Sequence, residues 1–180
     1  LTPASLVTML LGRDRDDPWL PDHLVWSVLA TIDEHLDDDW AQPLARHLGH
    51  GDDSVQGQLR RGRRYSVARR VAGLFHAYAQ QRPALLTAWR DERDDDGGGG
   101  LLDDDLRWQP PLWRHVVERI GEPPPDERHR TTLERLRRGD DTLDLPDRLS
   151  LFGHTRIART DAELLAALGT RRDVHLWLPQ

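Results

Sequence analysis

The chain lacks lysine, cysteine and asparagine, and all 25 of its basic residues are arginine. A Walker A loop needs a lysine followed by serine or threonine to hold nucleotide phosphates. The common restriction-like nuclease site needs a lysine beside its carboxylates, and thiol catalysis or a cysteine zinc site needs a thiolate. The sequence therefore argues against a self-sufficient P-loop ATPase, a lysine-dependent nuclease and a thiol enzyme. We expect a non-catalytic binding part of a larger machine, without a cofactor.

Long apolar runs and a positive net charge are missing as well. No stretch approaches the roughly 18 apolar residues that favour a membrane-spanning helix, and the net charge is −6. A uniform basic shell around nucleic acid is excluded, so local patches must carry any such role. The chain begins with Leu1 rather than methionine, which favours a fragment. The lack of cysteine fits a reducing compartment, and we predict a cytoplasmic protein without membrane contact.

Helical periodicity dominates residues 1–140. The clearest prediction is a helix from Arg60 to Tyr78, with Val67, Val71, Leu74 and Tyr78 forming one apolar stripe. It should end near residue 82, because the proline that follows disfavours helix for the preceding residue. An acidic, glycine-rich stretch at about 93–105 predicts a flexible loop.

The last forty residues have a different pattern. An apolar run over 149–154 predicts a strand, Thr160 and Glu163 have the spacing of a helix capping box, and 174–178 predicts a second strand. Strand, helix and strand form a parallel β-α-β unit. The predicted fold is therefore mainly α with a small α/β part: a helical subdomain at 1–140 and a truncated β-α-β piece at 141–180.

Several side chains could hold a metal ion, but the spacing favours ordinary solvated loops. A structural zinc site usually needs four ligands, and a calcium loop needs a glycine and a distal glutamate. The groups considered are His47 and His50 near Asp52 and Asp53, the triplet Asp14, Asp16 and Asp17, and the lone His154. None has a complete pattern, and no metal or catalytic residue is predicted.

An arginine cluster is the strongest local signal for binding. Six arginines lie within residues 60–70 without an acidic residue among them, and on a helix Arg63 and Arg70 share a face with Ser66. Guanidinium groups bind phosphate bidentately, which favours nucleic acid as the partner. The alternative is a helix face paired with acidic residues or docked on an acidic protein. The seven tryptophans could stack on single-stranded bases, although their spacing places most of them in the core.

Three separated motifs occur in the order and spacing of a known family. Residues 64–89 resemble its "A..LFd.Y..yRPd.L..W" stretch, residues 108–113 its "WQ.pLW" and residues 146–153 its "LP.R...FGis". A shorter match to "FP.PAs" ends at Ser5. The family is that of the exodeoxyribonuclease V gamma subunits, RecC, and the similarity covers nearly all 180 residues. The arginine-rich composition favours an actinobacterial member.

This resemblance implies an N-terminal region of a chain several times longer. It implies that the α/β piece belongs to a helicase-like domain that has lost its ATPase motifs. The expected role lies in the RecBCD complex of double-strand break repair and recombination, where the subunit splits the duplex, guides the 3′ strand and recognises the hotspot Chi. The implied partners are DNA, as single strand and fork, and the beta (RecB) and alpha (RecD) subunits, which carry catalysis.

Residue by residue, the resemblance implies DNA contacts at three positions. Leu74 and Arg82 match Chi-reading positions of the family, and Arg130 matches an arginine in its "H-R-x-x-L" context. With the two arginines of the cluster, the predicted DNA-binding residues are Leu74, Arg82, Arg130, Arg63 and Arg70. An ion pair of Arg82 with a carboxylate such as Asp91 is the alternative. The family's acidic positions on the same helix are Gly73 and His76 here, and its tryptophan shortly after the "PAs" motif is Thr8 here.

Overall fold

The computed structural model describes residues 2–13, 15–139, 145–152 and 157–177. The helices are α1 (Pro3–Leu10), α2 (Pro21–His35), α3 (Gln42–His47), α4 (Val55–Arg61), α5 (Arg64–Gln81), α6 (Pro83–Arg90), α7 (Gln109–Ile120), α8 (Pro125–Arg138) and α9 (Arg159–Leu168). Two short 3-10 helices span Asp39–Ala41 and Asp104–Leu106, and two strands are β1 (Arg148–Phe152) and β2 (Asp173–Trp177). The prediction of a mainly α fold with a small α/β part is confirmed. His154, considered above as a lone histidine, lies outside the described residues.

The chain divides into two compact units. One contains Leu1–Asp17 together with Pro125–Gln180, and the other contains Pro18–Pro124. This division differs from the predicted boundary near residue 140. The reason is tertiary: Leu6 and Leu10 of α1 and Leu133 and Leu136 of α8 share a buried cluster with α9. The first and last helical segments of the predicted helical subdomain therefore pack with the β-α-β piece.

In the unit formed by the two chain ends, β1 and β2 are parallel, as predicted. Arg148 pairs with Asp173 and Phe152 with Trp177, and the helix α9 connects the two strands. The predicted capping box at Thr160 is wrong. Ala158 is the N-cap of α9, Thr160 is buried, and Glu163 accepts hydrogen bonds from His129 (2.9 Å) and Arg159 (2.9 Å).

In the unit formed by residues 18–124, α2, α5 and α7 surround an apolar core. Trp113 is 1% exposed, and its ring lies 5.4 Å from that of Trp19 and 5.1 Å from that of Phe75. Tyr78 donates a hydrogen bond to the side-chain oxygen of Gln109 (3.2 Å), which ties α5 to the start of α7. In the described parts of the chain, no helix is long and apolar enough to cross a membrane.

The predicted helix Arg60–Tyr78 is wrong at its beginning. The predicted helix is interrupted at Gly62, which is the C-cap of α4. A new helix, α5, begins after Arg63, which is its N-cap. Glycine is among the weakest helix formers, which explains the break between two arginine pairs. Arg60 and Arg61 consequently belong to a different helix from Arg70. The predicted end is confirmed, because α5 stops at Gln81 and the next residue caps it before Pro83.

Candidate nucleic-acid interface

An open groove runs along α5 in the unit formed by residues 18–124. Its volume is about 690 Å3, and α3, α5 and the segment before α7 form its walls. The lining residues are Pro43, Leu44, His47, Arg63, Ser66, Val67, Arg70, Val71, Leu74, Asp105 and Trp108. Three of the five predicted DNA-binding residues, Leu74, Arg63 and Arg70, are thus brought together. We call this feature the α5 groove.

Both arginines of the α5 groove are available to a ligand. Arg63 and Arg70 are exposed, and in the described part of the chain neither guanidinium has a carboxylate within 4.0 Å. They lie seven residues apart, two helical turns, so they point to the same side of α5. Leu74 is half-buried one turn further on and adds apolar surface. The groove therefore combines two unpaired cations with an apolar wall.

Three further groove residues were not predicted from the sequence to bind DNA. His47 comes from α3, and Asp105 and Trp108 come from the segment that leads into α7. The indole nitrogen of Trp108 donates to the main-chain oxygen of Asp105 (2.7 Å), which fixes the ring relative to this segment. No local pattern could reveal these residues, because they lie more than fifteen positions from Arg63 and are adjacent to it only in the fold.

Arg82 lies outside the α5 groove, at the junction of α5 and α6. Its Nη2 donates to the main-chain oxygen of Asp96 (3.0 Å), and not to the carboxylate of Asp91 that was considered as an alternative. The Asp96 carboxylate accepts from the amides of Gly98 (2.8 Å) and Gly100 (2.9 Å), and these hydrogen bonds lower its pKa. The glycine-rich loop thus has a defined hydrogen-bond pattern, while its flexibility stays a prediction.

Arg130 lies in the other unit, on α8. Its side chain is 60% exposed and forms an ion pair with Glu134 (3.3 Å), one turn away on the same helix. The structure therefore brings Leu74, Arg63 and Arg70 to one site and does not bring Arg82 or Arg130 to it. Gly73 is an exposed residue of α5 itself, and on the same helix His76 interacts with Gln80 (3.0 Å).

Metal-ligand side chains are not grouped in the residues that the structure describes: no set of three histidines or acids could hold an ion. His50 is hydrogen-bonded to Asp37 (2.7 Å), whereas His47 faces the α5 groove. Asp17 accepts two hydrogen bonds from Arg128, and Asp14 lies outside the described residues. The chemistry of the groove is therefore that of cations, an aromatic ring and hydrogen-bonding side chains.

Residues 4–180 match the family described as RecC, N-terminal domain. The chain belongs to this family, as the motifs predicted. A RecBCD enzyme subunit RecC of Mycobacterium tuberculosis H37Rv is 55% identical over 178 residues, which are 98% of this chain and 16% of that protein. The same subunit of Mycolicibacterium smegmatis is 52% identical over 177 residues, 98% of this chain and 15% of that protein. The one from Haemophilus influenzae is 23% identical over 199 residues. The chain thus spans about 16% of the length of such relatives.

Proposed function

We propose that this chain is a non-catalytic, DNA-binding part of a RecBCD (exonuclease V) complex in double-strand break repair and recombination. It guides the 3′ single strand and contributes to Chi recognition, while the beta and alpha subunits carry helicase and nuclease catalysis in the cytoplasm. The names of the relatives, RecBCD enzyme subunit RecC, support the complex. The parallel β-α-β piece is compatible with a remnant of a helicase-like α/β domain.

One observation carries the DNA-binding proposal: two unpaired arginines and Leu74 line the same groove. Unpaired guanidinium groups bind phosphate oxygens with charge-assisted hydrogen bonds. The faces of Trp108 and Leu74 offer apolar contact to a base, and Asp105 can accept a hydrogen bond from an exocyclic amine. A volume of about 690 Å3 is within the range of sites that enclose a small ligand. A single strand, whose bases are free, fits these features better than a duplex.

The first test removes the groove cations. In the assembled complex with the full-length subunit, the double variant Arg63→Ala/Arg70→Ala should bind a single-stranded tail about tenfold more weakly at moderate salt. Each lost phosphate contact lowers the slope of log affinity against log salt by about 0.7, so the slope should fall by roughly 1.4. Fluorescence anisotropy over a salt series measures both quantities.

A matched control is Arg137→Ala, since Arg137 is an exposed arginine of α8 that does not line the α5 groove. Its affinity and salt slope should equal those of the unmodified complex. If the double variant keeps full affinity, the groove does not bind DNA. If it instead loses a partner subunit in size-exclusion chromatography, the arginine cluster is a protein-docking face, which is the alternative function.

The second test concerns Chi. Arg82→Ala and Arg130→Ala should each reduce the response to Chi by about tenfold, the effect of losing one specific arginine contact, while unwinding proceeds at a normal rate. Arg82 is held by the Asp96 carbonyl and Arg130 by Glu134, so both side chains have defined positions without the DNA. Cleavage-product mapping on duplexes with and without Chi measures the response. An unchanged response in both variants contradicts the assignment of these two residues.

A further inference from the structure

An exposed aromatic pair lies on the other side of α5 from the groove. Trp26 of α2 is 60% exposed, Tyr65 of α5 is 45% exposed, and their rings are 5.5 Å apart at 45°. The other tryptophans of this unit lie in the core or pack against it. Because an exposed indole buries little apolar surface, Trp26 contributes less to the stability of the fold than the buried tryptophans of this unit.

The position of Tyr65 on α5 separates this pair from the groove. Tyr65 and Arg69 are one turn apart and share a face, because residues at i and i+4 are neighbours on a helix. The buried stripe of α5, which includes Ala68, Ala72 and Phe75, runs between this face and the groove face of Arg70. The helix therefore presents two chemically similar surfaces, each with an aromatic ring and an arginine, on opposite sides of its core contact.

Charge distinguishes the arginines beside the pair. Arg64 donates to Asp33 (2.8 Å), so this cation is neutralised. Arg69 is exposed, and among the described residues it has no carboxylate within 4.0 Å. Asp22, one turn before Trp26, is also exposed on α2. Within the described part of the chain, this surface thus offers Arg69 as an unpaired cation beside a tilted pair of aromatic rings.

We propose that Trp26 and Tyr65 form a second stacking platform for single-stranded nucleic acid, with Arg69 holding an adjacent phosphate. Aromatic faces with a neighbouring cation are the common elements of sequence-tolerant binding to single strands. A protein partner is less well matched, because a stable interface covers on the order of 800 Å2 per side. Here the exposed positions around Trp26 on α2 are Asp22, His23, Ala30 and Asp33, which add no large aliphatic side chain.

This platform is a site separate from the α5 groove. It rests on the proposed function in one respect, namely that single-stranded DNA reaches the unit formed by residues 18–124. The test uses the assembled complex with the full-length subunit and a duplex whose 3′ single-stranded tail contains 5-iododeoxyuridine at successive positions. Irradiation couples this base to a stacked aromatic ring, and mass spectrometry of the digested subunit identifies the residue. We expect adducts on Trp26 or Tyr65, and their loss in Trp26→Ala and Tyr65→Ala.

Affinity measurements separate stacking from charge. Trp26→Ala should weaken tail binding about tenfold with an unchanged salt slope, since a lost stack releases no counterion. Arg69→Ala should lower the slope by about 0.7, the value for one phosphate on a single strand. Trp177→Ala is the matched control: Trp177 is 53% exposed in the other unit, and its removal should change neither adduct nor affinity.

Three outcomes overturn the proposal, and they differ in what else they overturn. If adducts form on groove residues but not on Trp26 or Tyr65, the stacking platform is contradicted and DNA binding in the α5 groove is supported. If no adduct forms anywhere within residues 1–180, both the platform and DNA binding in the α5 groove are contradicted. A Trp26→Ala complex that assembles poorly, but whose assembled fraction binds DNA normally, assigns the aromatic pair to a protein contact.

Discussion

Replacing Trp113 with alanine is expected to lower the free energy of unfolding of the unit formed by residues 18–124 by about 3–5 kcal/mol, the usual cost of a large core aromatic. Trp113 is 1% exposed and lies between Trp19 and Phe75, so its removal leaves a cavity that three helices cannot close without moving. Because domains are stable by only about 5–15 kcal/mol, this is a large part of the total. Urea denaturation followed by far-ultraviolet circular dichroism measures the change.

Trp26→Ala is the matched control for this variant, since it removes the same side chain from a surface. Trp26 is 60% exposed, and its loss should change the free energy of unfolding by less than about 0.5 kcal/mol. Equal effects of the two substitutions would show that Trp113 is not part of the core. The control also establishes that the Trp26→Ala variant used in the DNA experiments is folded.

Replacing Asp17 with alanine is expected to destabilise the other unit by about 3–5 kcal/mol, because it removes the buried carboxylate of a two-hydrogen-bond ion pair. The Asp17 carboxylate accepts from both terminal nitrogens of Arg128, at 3.0 and 2.8 Å, and its side chain is only 3% exposed. Arg13 lies 3.9 Å away, and burial lowers the pKa of its guanidinium. Both cations would lose the Asp17 carboxylate, and hydrogen exchange of the α1 and α8 amides should accelerate.

The comparison for Asp17 is an exposed ion pair in the same unit. Glu134→Ala removes the partner of Arg130, where both side chains are more than 40% exposed, and exposed pairs contribute roughly 0–1 kcal/mol. Exchange rates in α8 should therefore change little outside the turn around residue 134. If Asp17→Ala and Glu134→Ala have the same small effect, the Asp17–Arg128 pair does not hold α1 against α8.

The α5 groove illustrates how far the sequence could predict the candidate site. Arg63, Arg70 and Leu74 share a helix face through local periodicity, and periodicity is visible in the sequence. His47, Asp105 and Trp108 come from separate segments, and only the packing of α3 and α7 against α5 brings them to the same groove. The pair of Trp26 and Tyr65 was not predicted either. Its rings come from two helices that meet only in the fold, and most tryptophans of this chain belong to the core.

The fold shows the same division between local and non-local information. Proline and apolar spacing predicted the end of α5 and the parallel β-α-β piece, because each depends on neighbouring residues. The break at Gly62 follows from the weak helix propensity of glycine, whereas the failed capping box at Thr160 involves a tertiary contact, because Glu163 accepts from His129 of α8. Local propensity is a weak preference that tertiary contacts override.

The composition and motifs of the sequence by themselves determined the family, the mainly helical class and the absence of lysine and thiol chemistry, since these depend on residue identity and spacing alone. The tertiary structure decided which arginines are free and which are paired. It neutralised Arg64 with Asp33 and Arg128 with Asp17, and left Arg63, Arg69 and Arg70 exposed to a ligand. The physical reason is that a charge acts through its nearest neighbours in space, and those neighbours are chosen when helices pack.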